Sequence, residues 1–292
     1  MTLTCSAERL AVGEPLAGSA PYARLWVLLE QPGPWGRDAL RESHLDAGVA
    51  DRLAALVDGV PARVGLIRSV GAHADVTDGP RTLLVARTDP DASWFAARRI
   101  HDLEALPDAL DVDALLSTQS APATLPGEPL PTPSRAFLVC TNAKRDQCCA
   151  VLGRPLAAQL ADRAAAASDG SVVWETSHTS GHRFAPTYLS LPDGYLFGGP
   201  DADSGSVEAC RGRSSLRPAA QVAELAVLRH LGARMPRPLD VTDADAGRFL
   251  VRDGSRSFSV TVNEKEGTER PESCGKTPVS SPWMVASVQE VR

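Results

Sequence analysis

Lysine is nearly absent from this 292-residue sequence: three lysines stand beside 27 arginines, no basic block occurs, and the net charge is −6. A nucleic-acid partner, which needs a positive stripe or patch, is therefore not expected. Long apolar runs are missing too. None approaches the roughly 18 residues of a membrane-spanning helix, and Glu8 and Arg9 stand where a secretory leader would place its apolar stretch. The sequence reads as a cytoplasmic protein with no membrane association. Cysteine is sparse, six in all. In that compartment thiols stay reduced, so clustered cysteines read as metal ligands or redox thiols rather than structural disulfides.

What is present is 43% hydrophobic residues, enough for substantial cores, over a length that predicts more than one domain. The apolar run 24–30, closed by the Pro- and Gly-rich stretch 31–36, predicts a buried strand. Leu40, Leu45, Val49, Leu53 and Leu56 recur at helical spacing and predict a helix over 37–58. Strands are expected over 62–67, 81–87 and 93–100, and a short helix over 108–116. Five prolines within 121–134 mark a stiff linker.

Beyond the linker the order of elements recurs. A strand at 135–139 leads to a helix from Gln147 to Ala167, a strand at 171–176, and a hairpin of 187–191 with 195–197 across Asp193-Gly194. A helix over 216–231 follows, with Pro218 in its first turn, where a missing N–H costs nothing. Placing Arg24 on Arg135, an offset of 135 − 24 = 111, sets Leu29 at the position of Cys140. The two halves thus predict an α/β fold repeated with drift, and the first half lacks the cysteine. From residue 235 on, short alternating strands at 249–252, 257–263 and 283–291 predict an antiparallel β appendage, with Phe258, Val260 and Val262 on its buried face. The expected domains are 1–120, 135–234 and 235–292, with 121–134 between the first two.

Two segments carry metal-capable side chains. In Cys140-Thr-Asn-Ala-Lys-Arg-Asp-Gln-Cys148-Cys149 a strand end and a helix start are joined by a loop, and Asp146 is placed as the helix N-cap. Leu152, Leu156 and Leu160 form an i, i+4, i+8 stripe whose backward projection lands on Cys148. That cysteine reads as a core residue and Cys149 as the ligand. His178 and His182 flank Ser180-Gly181 on a loop that can turn both rings to one ion. Two thiolates and two imidazoles suit structural zinc or a two-iron two-sulfur cluster. The wide cysteine spacing favours the cluster. Lys144, Arg145 and Arg183 flank the ligands, with Trp174 close by in sequence, as candidates for supporting the site or docking an acidic redox partner. Cys5, Cys210 and Cys274 read as isolated thiols, and Trp35 as a packing anchor.

At these residues the sequence resembles the sucrase/ferredoxin-like family. The likeness lies in Cys140 to Cys149, in Trp174-Glu-Thr-Ser-His-Thr-Ser-Gly-His-Arg-Phe-Ala, in Leu191-Pro-Asp-Gly-Tyr-Leu-Phe-Gly-Gly, in Leu28-Leu-Glu-Gln-Pro-Gly-Pro-Trp-Gly and in Ser273-Cys-Gly. The resemblance implies thioredoxin-like domains in tandem and a two-iron two-sulfur cluster held by Cys140, Cys149, His178 and His182. It implies a redox carrier rather than an enzyme, since no carboxylate pair supports sucrase activity. With two thiolates instead of four the oxidised cluster is neutral, which raises its potential towards roughly −150 to +300 mV and couples reduction to protonation of an imidazole. A zinc-stabilised binding module, or a thiol oxidoreductase using Cys148 and Cys149 or Cys140, is the alternative; no C-x-x-C at a helix start favours the latter.

Overall fold

The structure, a computed structural model, describes residues 4–72 and 78–291. In chain order its helices are α1 (Cys5–Ala11), α2 (Ala47–Ala55), α3 (Val112–Ser117), α4 (Gln147–Ala167) and α5 (Pro218–His230). Its strands are β1 (Leu25–Glu30), β2 (Ala62–Ser69), β3 (Arg81–Arg87), β4 (Trp94–Ile100), β5 (Glu128–Leu130), β6 (Ala136–Cys140), β7 (Val172–Thr176), β8 (Thr187–Leu191), β9 (Tyr195–Gly198), β10 (Cys210–Arg213), β11 (Asp240–Asp243), β12 (Arg248–Asp253), β13 (Arg256–Lys265) and β14 (Trp283–Val291). The chain is thus mixed α/β. It divides into two compact units, one of Ala23–Thr179 with Leu189–Gly194, the other of Met1–Tyr22, Ser180–Tyr188 and Tyr195–Arg292. No helix among the described residues is long and apolar enough to cross a membrane.

The larger unit is built on a mixed sheet in the order β8-β6-β7-β2-β1-β3-β4-β5. The parallel pairs β1·β2 and β6·β7 are each closed by one helix, α2 and α4, and they meet where β2 runs antiparallel to β7. Order and connection therefore repeat about this central pair: helix-linked parallel strands inside, the next strand of each half outside. β1 alternates Leu25, Val27 and Leu29 into a core shared with Trp35, Val49, Leu53, Leu66, Leu83 and Val85. Burying each such side chain fully contributes about 1.5–3 kcal/mol. Trp35 anchors this core as expected: it is 4% exposed, its indole N–H donates to the Gln31 carbonyl at 3.0 Å, and the Arg68 guanidinium lies 3.9 Å over its ring.

Two expectations need correction here. The helix predicted over 37–58 begins only at Ala47, because the preceding backbone is otherwise engaged. Gly36 N–H donates to the Glu42 carbonyl and Arg37 N–H to the Glu42 carboxylate, which holds a loop, and Asp46 then caps the helix by accepting from Val49 N–H at 3.0 Å. The short helix predicted over 108–116 resolves into a 3-10 turn, Pro107–Ala109, and α3, capped by Asp111. Within the Pro-rich stretch, β5 pairs antiparallel with β4 at the sheet edge, Pro129 opposite Arg98. An edge strand tolerates proline, whose missing N–H need not join a ladder.

The smaller unit holds the antiparallel sheet β11-β12-β13-β14, with α5 against it, and the β9·β10 pair. The alternation read in β13 is as expected: Phe258, Val260 and Val262 are buried, and the residues between them are partly or fully exposed. In the same unit the Glu14 carboxylate accepts from both Arg183 and Arg270, at 2.7–3.0 Å, inside the protein. Burial alone would raise the Glu14 pKa, but the two guanidiniums outweigh it and hold the carboxylate below its ordinary range.

Candidate metal centre

Cys140 is the last residue of β6, opposite Thr176 of β7. The loop that follows is tied down by its own side chains. Thr141 donates its hydroxyl proton to Glu175 at 2.8 Å. Asn142 donates to the Gly36 carbonyl at 2.9 Å, and its side-chain oxygen accepts from the N–H groups of Lys144 and Arg145. Asp146 accepts from Cys148 N–H at 2.9 Å and so caps α4. The expected cap and the expected helix, 147–167, are both present.

The face of α4 that turns inward differs from the stripe read in the sequence. Leu152 is 38% exposed; besides Cys148 and Ala150 in the first turn, the buried positions are Cys149, Gly153, Leu156, Ala157 and Leu160. That set runs at spacings of four and three, so Cys149 shares the buried face instead of being turned away from it. Both Cys148 and Cys149 are enclosed, 2% and 1% exposed. Pro155 does not break the helix: it lies on the exposed side, beyond Val151, which is 68% exposed, so the Val151 carbonyl that loses its partner can turn to water.

Gly153 explains how the helix approaches the strand end. A Cβ built there would run into the Cys140 carbonyl oxygen, so any side chain would push α4 off β6. The Gly153→Ala protein is expected to lose about 1–3 kcal/mol of stability, the usual penalty for overpacking, as read by urea denaturation. Unchanged stability would show that the helix can shift without strain.

Three of the four sequence-derived ligands come together in the larger unit. Cys149 and His178 both hydrogen-bond the Cys140 sulfur, and the Cys140 thiol reaches the Ser177 carbonyl at 3.9 Å. Ser177 is itself fixed to β2, its N–H donating to Leu66 O and its hydroxyl oxygen accepting from Leu66 N–H at 3.0 Å. One thiol of the pair gives up its proton before the other. The bond from Cys149 pulls the Cys140 pKa well below the ordinary thiol value against the effect of burial, with His178 adding to it. The same bond, together with burial, pushes Cys149 well above. His182 opens a 3-10 turn, His182–Phe184, in the smaller unit.

The flanking cations separate into two kinds. Arg183 is bound to Glu14, 18% exposed, and lies 4.5 Å over the Phe184 ring, so it does not project as a solvated cation. Lys144 is exposed and Arg145 half-buried, and among the described residues neither forms an ion pair. Together with Arg154 and Trp35, Lys144 borders a cleft of about 200 Å³ beside the 140–147 loop. Trp174 lies on β7 opposite Ser69.

The residue the sequence reading missed is Glu175. It forms a buried ion pair with Arg68 at 2.9 Å, side chains 1% and 4% exposed, and also accepts from Gly71 N–H and Thr141. A charged residue in the run Val-Val-Trp-Glu-Thr was the one available signal, and its partner stands 107 positions away.

A family model described as sucrase/ferredoxin-like matches residues 16–216, well over half of the chain. No curated protein matches the sequence significantly, and no solved structure does.

Proposed function

The chain belongs to the sucrase/ferredoxin-like family, and on that premise we propose that it is an electron carrier whose two-iron two-sulfur cluster is held by Cys140, Cys149, His178 and His182. The observation that carries this reading is the meeting of Cys149 and His178 on the Cys140 sulfur. The donor set fits such a group: two enclosed thiols stand together, one of them held well below the ordinary thiol pKa, and soft sulfur with imidazole is the ligand chemistry of a Rieske-type centre. When bound, the cluster would supply one-electron transfer at a potential above that of four-cysteine ferredoxins. The chain's own part is positional. Asp146 and Asn142 fix the loop between the cysteines, and the Ser177 tie to β2 fixes the approach to His178. His178 and His182 are half-buried as residues, and the Nδ1 of His178 is itself enclosed.

Each half is proposed to be a thioredoxin-like domain. The recurrence of strand, helix, parallel strand and adjacent third strand about the β2·β7 pair supports this, with Leu29, fully buried in the core of the first half, at the place of Cys140. Lys144, Arg145 and Arg154 are proposed to receive an acidic redox partner protein, since cations beside a redox site steer opposite charge. Protein purified anaerobically is expected to be red-brown, to contain iron and acid-labile sulfide in equal amounts, and to give a Rieske-like EPR signal when reduced. Colourless protein with one bound zinc overturns the proposal in favour of a structural metal module.

A further inference from the structure

Two cysteines of the smaller unit, distant in sequence and outside the family-matched stretch, stand side by side. The Sγ atoms of Cys5 and Cys274 are 3.5 Å apart. We propose that they form a reversible dithiol–disulfide pair that reacts with low-molecular-weight disulfides of the glutathione class.

The two thiols differ in access. Cys5, the first residue of α1, is completely enclosed, whereas Cys274 is partly exposed. Cys274 also lies near the tip of a loop that is pinned at its base by the Arg270–Val279 bridge and turned by the Lys276 N–H to Ser273 carbonyl bond. It belongs to no helix or strand, so the shift of about 1.5 Å that brings 3.5 Å to the sulfur–sulfur bond length disturbs no ladder.

These positions assign the order of steps. The Cys274 thiolate attacks one sulfur of the small disulfide, expelling one thiolate and leaving a mixed disulfide on Cys274. Cys5 then loses its proton and attacks the Cys274 sulfur, expelling the second thiolate. The sum is two protein thiols and one small disulfide going to one protein disulfide and two small thiols. The protein loses two electrons and two protons, which the small disulfide takes up.

A closed bridge would bind the N-terminal segment to the 270–279 loop, next to the place where Glu14 already joins Arg270. The segment would then be held by a covalent link as well as a charge pair.

The full-length protein is incubated with oxidised glutathione, its remaining thiols are alkylated, and its peptides are mapped by mass spectrometry. The expected product is an intramolecular Cys5–Cys274 bridge, two hydrogens lighter than the dithiol and fully reversed by dithiothreitol. The Cys274→Ser protein, changed at the more accessible position, should form neither the bridge nor the mixed disulfide there. The Cys5→Ser protein, if it folds, should stop at a stable mixed disulfide on Cys274. A wild-type protein that keeps glutathione on Cys274, that stays fully reduced, or that links either cysteine to a different one overturns the proposal. None of these readouts depends on a metal, so failure here leaves the electron-carrier reading untouched.

Discussion

The Cys149→Ser protein, purified anaerobically, is expected to be colourless and to hold almost no iron, while Cys148→Ser keeps both the colour and the EPR signal. Both positions are enclosed and adjacent, so general damage to the fold predicts similar losses from either change. The difference comes from their contacts: both cysteines are buried on α4, but it is Cys149 that bonds the Cys140 sulfur. A serine hydroxyl is a far poorer donor to iron than a thiolate. Loss of iron from Cys148→Ser with retention in Cys149→Ser would reverse the ligand assignment. Equal retention in both would remove Cys149 from the site altogether.

The second large effect is expected at the ion pair between β2 and β7. Replacing Glu175 by Gln or Arg68 by Met leaves the other partner enclosed without its counter-charge, which typically costs about 3–5 kcal/mol. The Arg68→Met/Glu175→Leu double variant should recover much of that loss, because apolar side chains of similar size remove the burden of two buried charges. Equilibrium unfolding in urea separates the three. If each single variant loses less than about 1 kcal/mol, the pair is dispensable, as exposed pairs usually are.

The same pair has a pH signature. Burial alone would raise the Glu175 pKa, but the Gly71 N–H, the Thr141 hydroxyl and Arg68 together hold it below its usual value of 4.5. Burial also draws the Arg68 guanidinium down in spite of Glu175, yet arginine keeps its proton throughout any ordinary pH range. A carboxylate depressed in the folded state contributes its full stability above the unfolded pKa and loses it as pH falls through the folded one. Wild-type stability should therefore drop in acid below about pH 4.5 more steeply than that of the double variant.

Local features were legible and distant ones were not. The helix at 147–167, its Asp146 cap, most strand positions and the alternation of β13 rest on patterns a few residues wide, and they are present as read. Leu152 shows the limit of such patterns: leucine spacing described a stripe, but a glycine set where the helix meets the strand, because close approach to Cys140 required the absence of a side chain. The loop at 37–46 shows another limit. Its leucines have helical spacing, yet Glu42 binds the N–H of Arg37, an option that hydrophobic periodicity does not register. Glu14 with Arg183 and Arg270, and Arg68 with Glu175, are joined across 107 to 256 positions. No local window can pair them, and it is the Glu14 partner that encloses Arg183.

An open sheet has a free margin at which another polypeptide can add itself. One such margin is β5, three residues long, with a proline at its centre and a glutamate before it. The proline offers no hydrogen to an incoming strand, and the charge makes stacking of like copies unfavourable. The stretch that reads in sequence as a spacer thus also blunts this edge of the sheet against the pairing of another strand.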